Sequence, residues 1–92
     1  MTQPLAGKQI LIVEDEPVFR SLMHTWLASL GATIVQAEDG VDALQKMAES
    51  KPDLMICDIS MPRMNGLQLV EHVRNQGEQL PILMISATEN MA

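Results

Sequence analysis

The chain has 92 residues, which is enough for one small domain and too few for two. Hydrophobic residues make up 47% of it and charged residues 20%, which excludes a disordered tail, and the longest apolar run is far too short to cross a bilayer. A net charge of −6 disfavours nucleic acid and anionic membranes as partners. With a single cysteine and no signal-peptide pattern in residues 1–7, we expect a cytoplasmic protein.

Apolar runs of β type alternate with segments of helical period along the chain. The first run, 9–13, is continuously apolar from Ile10 onward, as in a strand that is covered on both faces. Pro17 then suits the first turn of a helix, whose apolar residues recur every fourth position until Gly31 ends it. The buried stripe predicted for this helix consists of Val18, Leu22, Trp26 and Leu30, widened by Phe19, Met23 and Leu27.

Three more strands and two more helices are predicted after this helix. Residues 32–37 form the second strand, 54–57 the third and 80–85 the fourth, and Asp39 caps the second helix. This alternation predicts an α/β fold, with right-handed βαβ units and helices on both faces of a parallel sheet. The predicted buried residues are Val41, Leu44, Met47 and Ala48 in the second helix and Leu69, Val70 and Val73 in the third.

Polar side chains follow three of the predicted strands. Glu14 and Asp15 follow the first strand, Asp58 the third and Ser86 the fourth. Ligands of a parallel α/β sheet bind beyond the carboxyl ends of its strands, so we expect these groups to converge there. Clustered carboxylates raise one another's pKa unless a cation neutralises them, and an oxygen-only ligand set suits Mg²⁺. Asp58 is then the best candidate for a nucleophile that attacks a phosphoryl group.

These segments resemble the receiver domain of two-component response regulators. The resemblance rests on Glu-Asp-Glu-Pro at 14–17, the Asp-x-x-Met-Pro-x-Met-x-Gly pattern at 58–66 and Ile-Ser-Ala at 85–87. It implies a flavodoxin-like, CheY-like doubly wound sheet with strand order 2-1-3-4-5. Glu14 departs slightly from the family pattern, in which Asp is commoner at that position.

The resemblance also implies a role for each site residue. Asp58 would be the phosphoacceptor, and Ser86 would supply the hydroxyl that senses the phosphoryl group. Mg²⁺ would be held by Asp15, by Asp58, by the backbone carbonyl of Ser60 and, through a water molecule, by Glu14. The protein would then be a phosphorylation-dependent switch and not an enzyme, beyond self-phosphorylation from acyl phosphates and autodephosphorylation.

Partners follow from the same resemblance. A histidine kinase, a phosphotransfer protein or acetyl phosphate would donate the phosphoryl group. The segments 9–16, 53–58 and 86–92 further resemble a subgroup of regulators that present the stationary-phase sigma factor to an ATP-dependent protease, which implies a sigma factor and a protease as partners. The net charge of −6 gives no reason to expect nucleic acid or a membrane as a partner.

Two other functions stay open. One is a Mg²⁺-dependent phosphohydrolase with an aspartyl-phosphate intermediate, such as the haloacid dehalogenase type. Those enzymes place a second Asp two residues after the nucleophile, where this chain has Ser60. The other is a receiver-like interaction module that works without phosphate, against which the intact Asp15, Asp58 and Ser86 argue.

Receivers normally continue through a fourth helix, a fifth strand that ends in Lys, and a fifth helix. We therefore expect residues 1–92 to form one C-terminally truncated receiver domain, with 1–7 as a short N-terminal extension and the fourth strand as an exposed apolar edge. Cys57 is predicted to be a small buried hydrophobe and not a reactive thiol. Trp26 is predicted to pack in the core with its N–H near the surface.

Overall fold

The computed structural model describes residues 3–61 and 64–85. In this part of the chain strands and helices alternate in the predicted order. Asp39 caps the second helix as predicted, since its Oδ1 accepts a hydrogen bond from the N–H of Asp42 at 2.8 Å. The elements are β1 (Gln9–Val13), α1 (Pro17–Ser29), β2 (Thr33–Ala37), α2 (Gly40–Glu49), β3 (Leu54–Asp58), α3 (Gly66–Asn75) and β4 (Ile82–Ile85).

The four described strands form one parallel sheet in the order β2-β1-β3-β4. Val13 at the end of β1 pairs with Ala37 of β2 and Cys57 of β3, and Asp58 pairs with Ile85 of β4. The carboxyl ends of all four strands therefore lie along one edge of the sheet. This is the flavodoxin-like α/β arrangement, in the strand order that the resemblance implies for the first four strands.

Helices cover both faces of the sheet and create two apolar layers. Successive residues of a strand point to opposite faces, so Ile10 and Ile12 enter one layer while Leu11 and Val13 enter the other. The first layer lies under α1 and the second under α2 and α3. The strand needs apolar residues on both faces, which explains the continuous apolar run. Buried residues of the first layer are Ile10, Ile12, Leu27, Ala32 and Ile56, and those of the second are Leu11, Val13, Ala37, Ala43, Met55, Cys57, Leu69, Val73 and Leu80.

The buried stripe predicted for α1 is wrong in three of its positions. Val18, Leu22 and Trp26 are 67%, 61% and 62% exposed, and Leu27 is the residue of α1 that is fully buried. Apolar residues occupy more than one face of this helix, so the four-residue period did not determine which face meets the sheet. Trp26 accordingly lies on the outer face of α1 and not in the core. Met23 and Leu30 are half-buried and pack in the same layer as Leu27, and Phe19 is half-buried as well.

The stripe predicted for α2 is also partly wrong. Val41 and Ala48 are exposed, and the buried residues of α2 are Gly40 and Ala43, with Leu44 and Met47 packed beside Ala43. The packing of α2 therefore places Ala43, and not Val41, against the sheet. In α3 the prediction holds better, because Leu69 and Val73 are fully buried and Val70 is half-buried.

β4 lies at one edge of the described sheet and pairs with β3 on its other side. Its side chains are only partly covered, and Leu83 is 53% exposed. The sequence predicted an exposed apolar edge here, and because residues 86–92 lie outside the described part of the chain, this stays a prediction. None of the described helices has the length and apolar character that a membrane span requires.

Candidate phosphoryl and metal site

An acidic cluster lies at the carboxyl edge of the sheet, between β1 and β3. Glu14 and Asp15 directly follow β1, and Asp58 is the last residue of the neighbouring β3. One carboxylate oxygen from each of the three lies within 4.8 Å of the others. Glu14 and Asp58 are fully buried, whereas Asp15 is exposed. The structure therefore brings together the three carboxylates that the sequence singled out.

Glu14 is held firmly at the end of β1. Its N–H donates to the carbonyl of Ala37 at 3.0 Å, and its Oε2 accepts from the N–H of Glu16 at 3.0 Å. Its own carbonyl accepts a hydrogen bond from Nη1 of Arg20 at 2.7 Å. The second carboxylate oxygen, Oε1, is buried, and no donor among the described residues reaches it. One oxygen of the Glu14 carboxylate is thus buried without a donor among the described residues.

Burial raises the pKa of the Glu14 carboxyl from 4.5 to about 7. The N–H of Glu16 opposes this rise, and the carboxylates of Asp58 and Asp15 add to it. The repulsion within such a cluster falls when a carboxylate takes up a proton or when a cation binds. Its oxygen-only donors and the buried Oε1 of Glu14 fit a hard divalent cation such as Mg²⁺.

This pKa predicts that, without divalent cations, stability falls as the pH rises from 4.5 to about 7. Below that range Glu14 holds its proton in both states. Within it the unfolded chain releases the proton and the folded chain keeps it, so a rising pH favours unfolding. The difference corresponds to roughly 3 kcal/mol at most. Glu14→Gln stays neutral, so it should lack this decline.

The measurement is the urea midpoint of both proteins in chelator, at about pH 5 and about pH 8. Subtracting the midpoint of Glu14→Gln from that of the wild type at each pH removes the contribution of the other titrating groups, because both proteins share them. We expect the urea midpoint of Glu14→Gln to rise relative to that of the wild type as the pH increases. We also expect Mg²⁺ to stabilise the wild type more at the higher pH. A difference that is independent of pH would contradict this prediction.

The loop after Asp58 folds back on the strand. Oδ1 of Asp58 accepts from the N–H of Ser60 at 3.3 Å, and Ser60 itself is exposed. The N–H of Gly66 donates to the carbonyl of Ile59 at 2.8 Å, so the first turn of α3 lies against the end of β3. Asn65 caps this helix by accepting from the N–H of Gln68 at 2.9 Å. These contacts fix the backbone that carries the Asp58 carboxylate.

Two other residues that the sequence singled out are Ser86 and Cys57. Ser86, the predicted phosphoryl-sensing hydroxyl, lies outside the described residues, so its role stays a prediction. Cys57 is a buried free thiol, as predicted, and burial raises its pKa to about 12. A thiol with this pKa is inert as a nucleophile near neutral pH.

The sequence reasoning missed two residues that contact the site. Arg20 is a half-buried cation of α1 that reaches the Glu14 carbonyl, and Gly66 lies against the backbone of Asp58. Arg20 carried a usable signal, because it is a charged residue that follows Phe19 on a helix rich in apolar residues. Gly66 entered the sequence analysis only as the last residue of the 58–66 pattern, because the close approach of two backbones leaves no mark in sequence periodicity.

Comparisons with known proteins agree with this geometry. The chain is 72% identical over 92 residues to the Regulator of RpoS of Escherichia coli (strain K12), covering 100% of this chain and 27% of that protein. It is 36% identical over 84 residues to the Response regulator MprA of Mycobacterium ulcerans (strain Agy99), covering 91% of this chain and 36% of that protein. The chain thus spans about a quarter to a third of these curated relatives.

A solved structure shows the same fold. It is the response regulator protein TrrA from Thermotoga maritima in complex with Mg²⁺-BeF, with a TM-score of 0.83 and 36% identity, covering 89% of this chain and 71% of that one. The response regulator receiver domain family matches residues 10–92, which include every described strand and helix except the first residue of β1. This chain therefore belongs to the response regulator receiver domain family.

Proposed function

We propose that this protein is a phosphorylation-dependent switch in which Asp58 accepts a phosphoryl group in the presence of Mg²⁺. The observation that carries the proposal is the acidic cluster, in which the buried Asp58 lies within 4.8 Å of carboxylate oxygens of Glu14 and Asp15. Such a cluster would be costly without a function, since the carboxyl groups of Glu14 and Asp58 are buried close to each other. The fold neighbour TrrA was solved with Mg²⁺-BeF, which supports the same chemistry here.

Each site residue has a proposed task. Asp15, Asp58 and the backbone carbonyl of Ser60 would hold Mg²⁺, and Glu14 would do so through a water molecule. When bound, the cation offsets the negative charges of the carboxylates and of the incoming phosphoryl group. The N–H of Ser60 holds one oxygen of Asp58 in place, and the Ser86 hydroxyl would bond to the phosphoryl group after transfer.

The transfer itself is a displacement at phosphorus. A carboxylate oxygen of Asp58 forms a bond to phosphorus, and the bond between phosphorus and the donor group breaks. The donor would be a phosphohistidine of a histidine kinase or phosphotransfer protein, or acetyl phosphate. The product is an acyl phosphate on Asp58 that alters the surface seen by a partner.

The output partners proposed here are a sigma factor and a protease, in the cytoplasm. The relative at 72% identity is named Regulator of RpoS, which supports regulation of a sigma factor. The shared region is 27% of that protein, so the sigma factor and the protease are proposed as partners from the name of a longer protein. The net charge of −6 supports a protein partner over nucleic acid or a membrane.

The experiment is incubation of the protein with acetyl phosphate, with Mg²⁺ or with chelator, followed by intact mass spectrometry. We expect a mass increase of one phosphoryl group with Mg²⁺ and none with chelator. Peptide mapping after borohydride trapping is expected to place the modification on Asp58. No modification under either condition would overturn the proposal in favour of a module that works without phosphate.

A further measurement addresses the phosphohydrolase. Release of inorganic phosphate is followed over time under the same conditions. A receiver should accumulate the acyl phosphate and release phosphate slowly, because Ser60 replaces the second Asp of haloacid dehalogenase-type enzymes. Rapid multiple turnover without accumulation would favour the phosphohydrolase.

A further inference from the structure

A row of polar contacts connects the acidic cluster to the outer strand β2 through α1. Nη1 of Arg20 donates to the carbonyl of Glu14 at 2.7 Å, and its Nε donates to Oε1 of Gln36 at 3.2 Å. The side-chain nitrogen of Gln36 in turn pairs with Nδ1 of His24. All of these contacts are partly buried, and they join α1, β2 and the segment that follows β1.

The backbone of Gln36 makes a further contact, with α2. Its backbone carbonyl accepts from Nζ of Lys46 in α2 at 3.0 Å, and that ammonium group lies 3.5 Å from the carboxylate of Asp42. The acceptor that orients Arg20 is therefore itself fixed by two helices. A guanidinium group that meets two acceptors at once has a defined plane, which a lysine ammonium would not have.

The carbonyl that Arg20 holds belongs to the peptide unit between Glu14 and Asp15. Because a peptide unit is planar, fixing its carbonyl oxygen restricts the orientation of both flanking Cα atoms. Those two residues supply two of the three carboxylates of the cluster. The contact is with the carbonyl oxygen and not with a carboxylate, so its effect on the cluster is mainly one of geometry.

We propose that Arg20, braced by Gln36, is a positioning residue that preorganises the Glu14 and Asp15 carboxylates for the divalent cation. This inference rests on the proposed function, because it assigns Arg20 a part in the same site. Without Arg20 the Glu14 to Asp15 peptide can rotate, and the two carboxylates must be ordered when the cation binds. The expected result is weaker binding of the cation, since groups that orient metal ligands contribute to affinity.

The test is calorimetric titration of Mg²⁺ into the wild type and into Arg20→Ala, with circular dichroism to establish that each is folded. We expect Arg20→Ala to bind Mg²⁺ roughly tenfold more weakly. Arg74→Ala is the matched control, because Arg74 also donates from Nη1 to a backbone carbonyl, that of Glu78 at 2.9 Å, and lies on α3. It removes the same charge and the same type of hydrogen bond, and we expect unchanged Mg²⁺ affinity.

Two further variants distinguish a loss of positioning from a loss of folding. Arg20→Lys keeps the charge but lacks the planar fork that meets both acceptors, and it is expected to restore part of the affinity. Gln36→Met removes the brace but leaves Arg20, and should weaken binding in the same direction by less. The inference would be overturned if Arg20→Ala and Arg74→Ala lost Mg²⁺ affinity equally, or if Arg20→Ala bound Mg²⁺ as tightly as the wild type. Either result would leave the proposed function standing. A wild type that binds no Mg²⁺ would overturn both.

Discussion

Replacing Asp58 with asparagine is expected to abolish phosphoryl uptake from acetyl phosphate while the fold is retained. Asparagine has the shape of aspartate but lacks the nucleophilic carboxylate oxygen. Its carbonyl can still accept from the N–H of Ser60, and its amide lies near the carboxylate of Glu14. Without Mg²⁺ the variant should be more stable than the wild type, because one of three clustered charges is gone.

Asp53→Asn is the matched control for this substitution. Asp53 precedes the other end of β3, and its Oδ2 accepts from the N–H of Gln9 at 2.8 Å. The same change of charge occurs there, far along the strand from the cluster, so labelling should remain at the level of the wild type. Intact mass spectrometry measures the labelling and urea midpoints in chelator measure the stability. Labelling of Asp58→Asn equal to that of the wild type would show that Asp58 is not the phosphoacceptor.

Replacing Gly66 with alanine is expected to destabilise the protein by about 3 kcal/mol. A Cβ atom at this position would press on the backbone carbonyl of Asp58, and it would lie 2.9 Å from Cα of Ile59 and 2.8 Å from Cε of Met84. The methionine can move aside, but the two backbone groups cannot move without shifting β3 or α3. The higher helix propensity of alanine, worth about 1 kcal/mol, is too small to compensate.

Leu67→Ala serves as the control for Gly66→Ala because it lies next to it in α3 and its side chain is 62% exposed. We expect it to change stability by less than about 0.5 kcal/mol. Urea unfolding followed by circular dichroism gives both values. Because the clash displaces the backbone of Asp58, Gly66→Ala should also take up phosphoryl groups more slowly even where it remains folded. A midpoint for Gly66→Ala equal to that of the wild type would mean that the loop accommodates the methyl group freely.

Much of the architecture could be predicted from local patterns. β1 spans Gln9–Val13, as its apolar run predicted, and β3 ends on Asp58. Strands covered on both faces must be apolar throughout, and this requirement is visible in a single sequence. Parallel strands bring their carboxyl ends to one edge, so the meeting of Glu14 and Asp15 with Asp58 followed from the order of elements alone. The role of Ser86 stays a prediction.

The errors lie in the helices. Apolar residues on α1 cover so wide an arc that either face could have met the sheet, and the structure buries Leu27 while leaving Leu22 and Trp26 on the outside. On α2 the small Ala43 and not Val41 lies against the sheet. Periodicity identifies an amphipathic helix, but the angle at which the helix packs depends on the side chains of the sheet beneath it.

The sequence by itself determined the α/β alternation, the parallel sheet and the set of acidic residues, because each follows from local period or from the position of a residue at a strand end. Only the tertiary structure decided how these residues are held. Arg20 reaches the Glu14 carbonyl, and Gly66 lies against Asp58, through contacts between segments whose spatial approach no local pattern encodes. The burial that raises the pKa of Glu14 to about 7 arises in the same way, since desolvation depends on everything packed around the group.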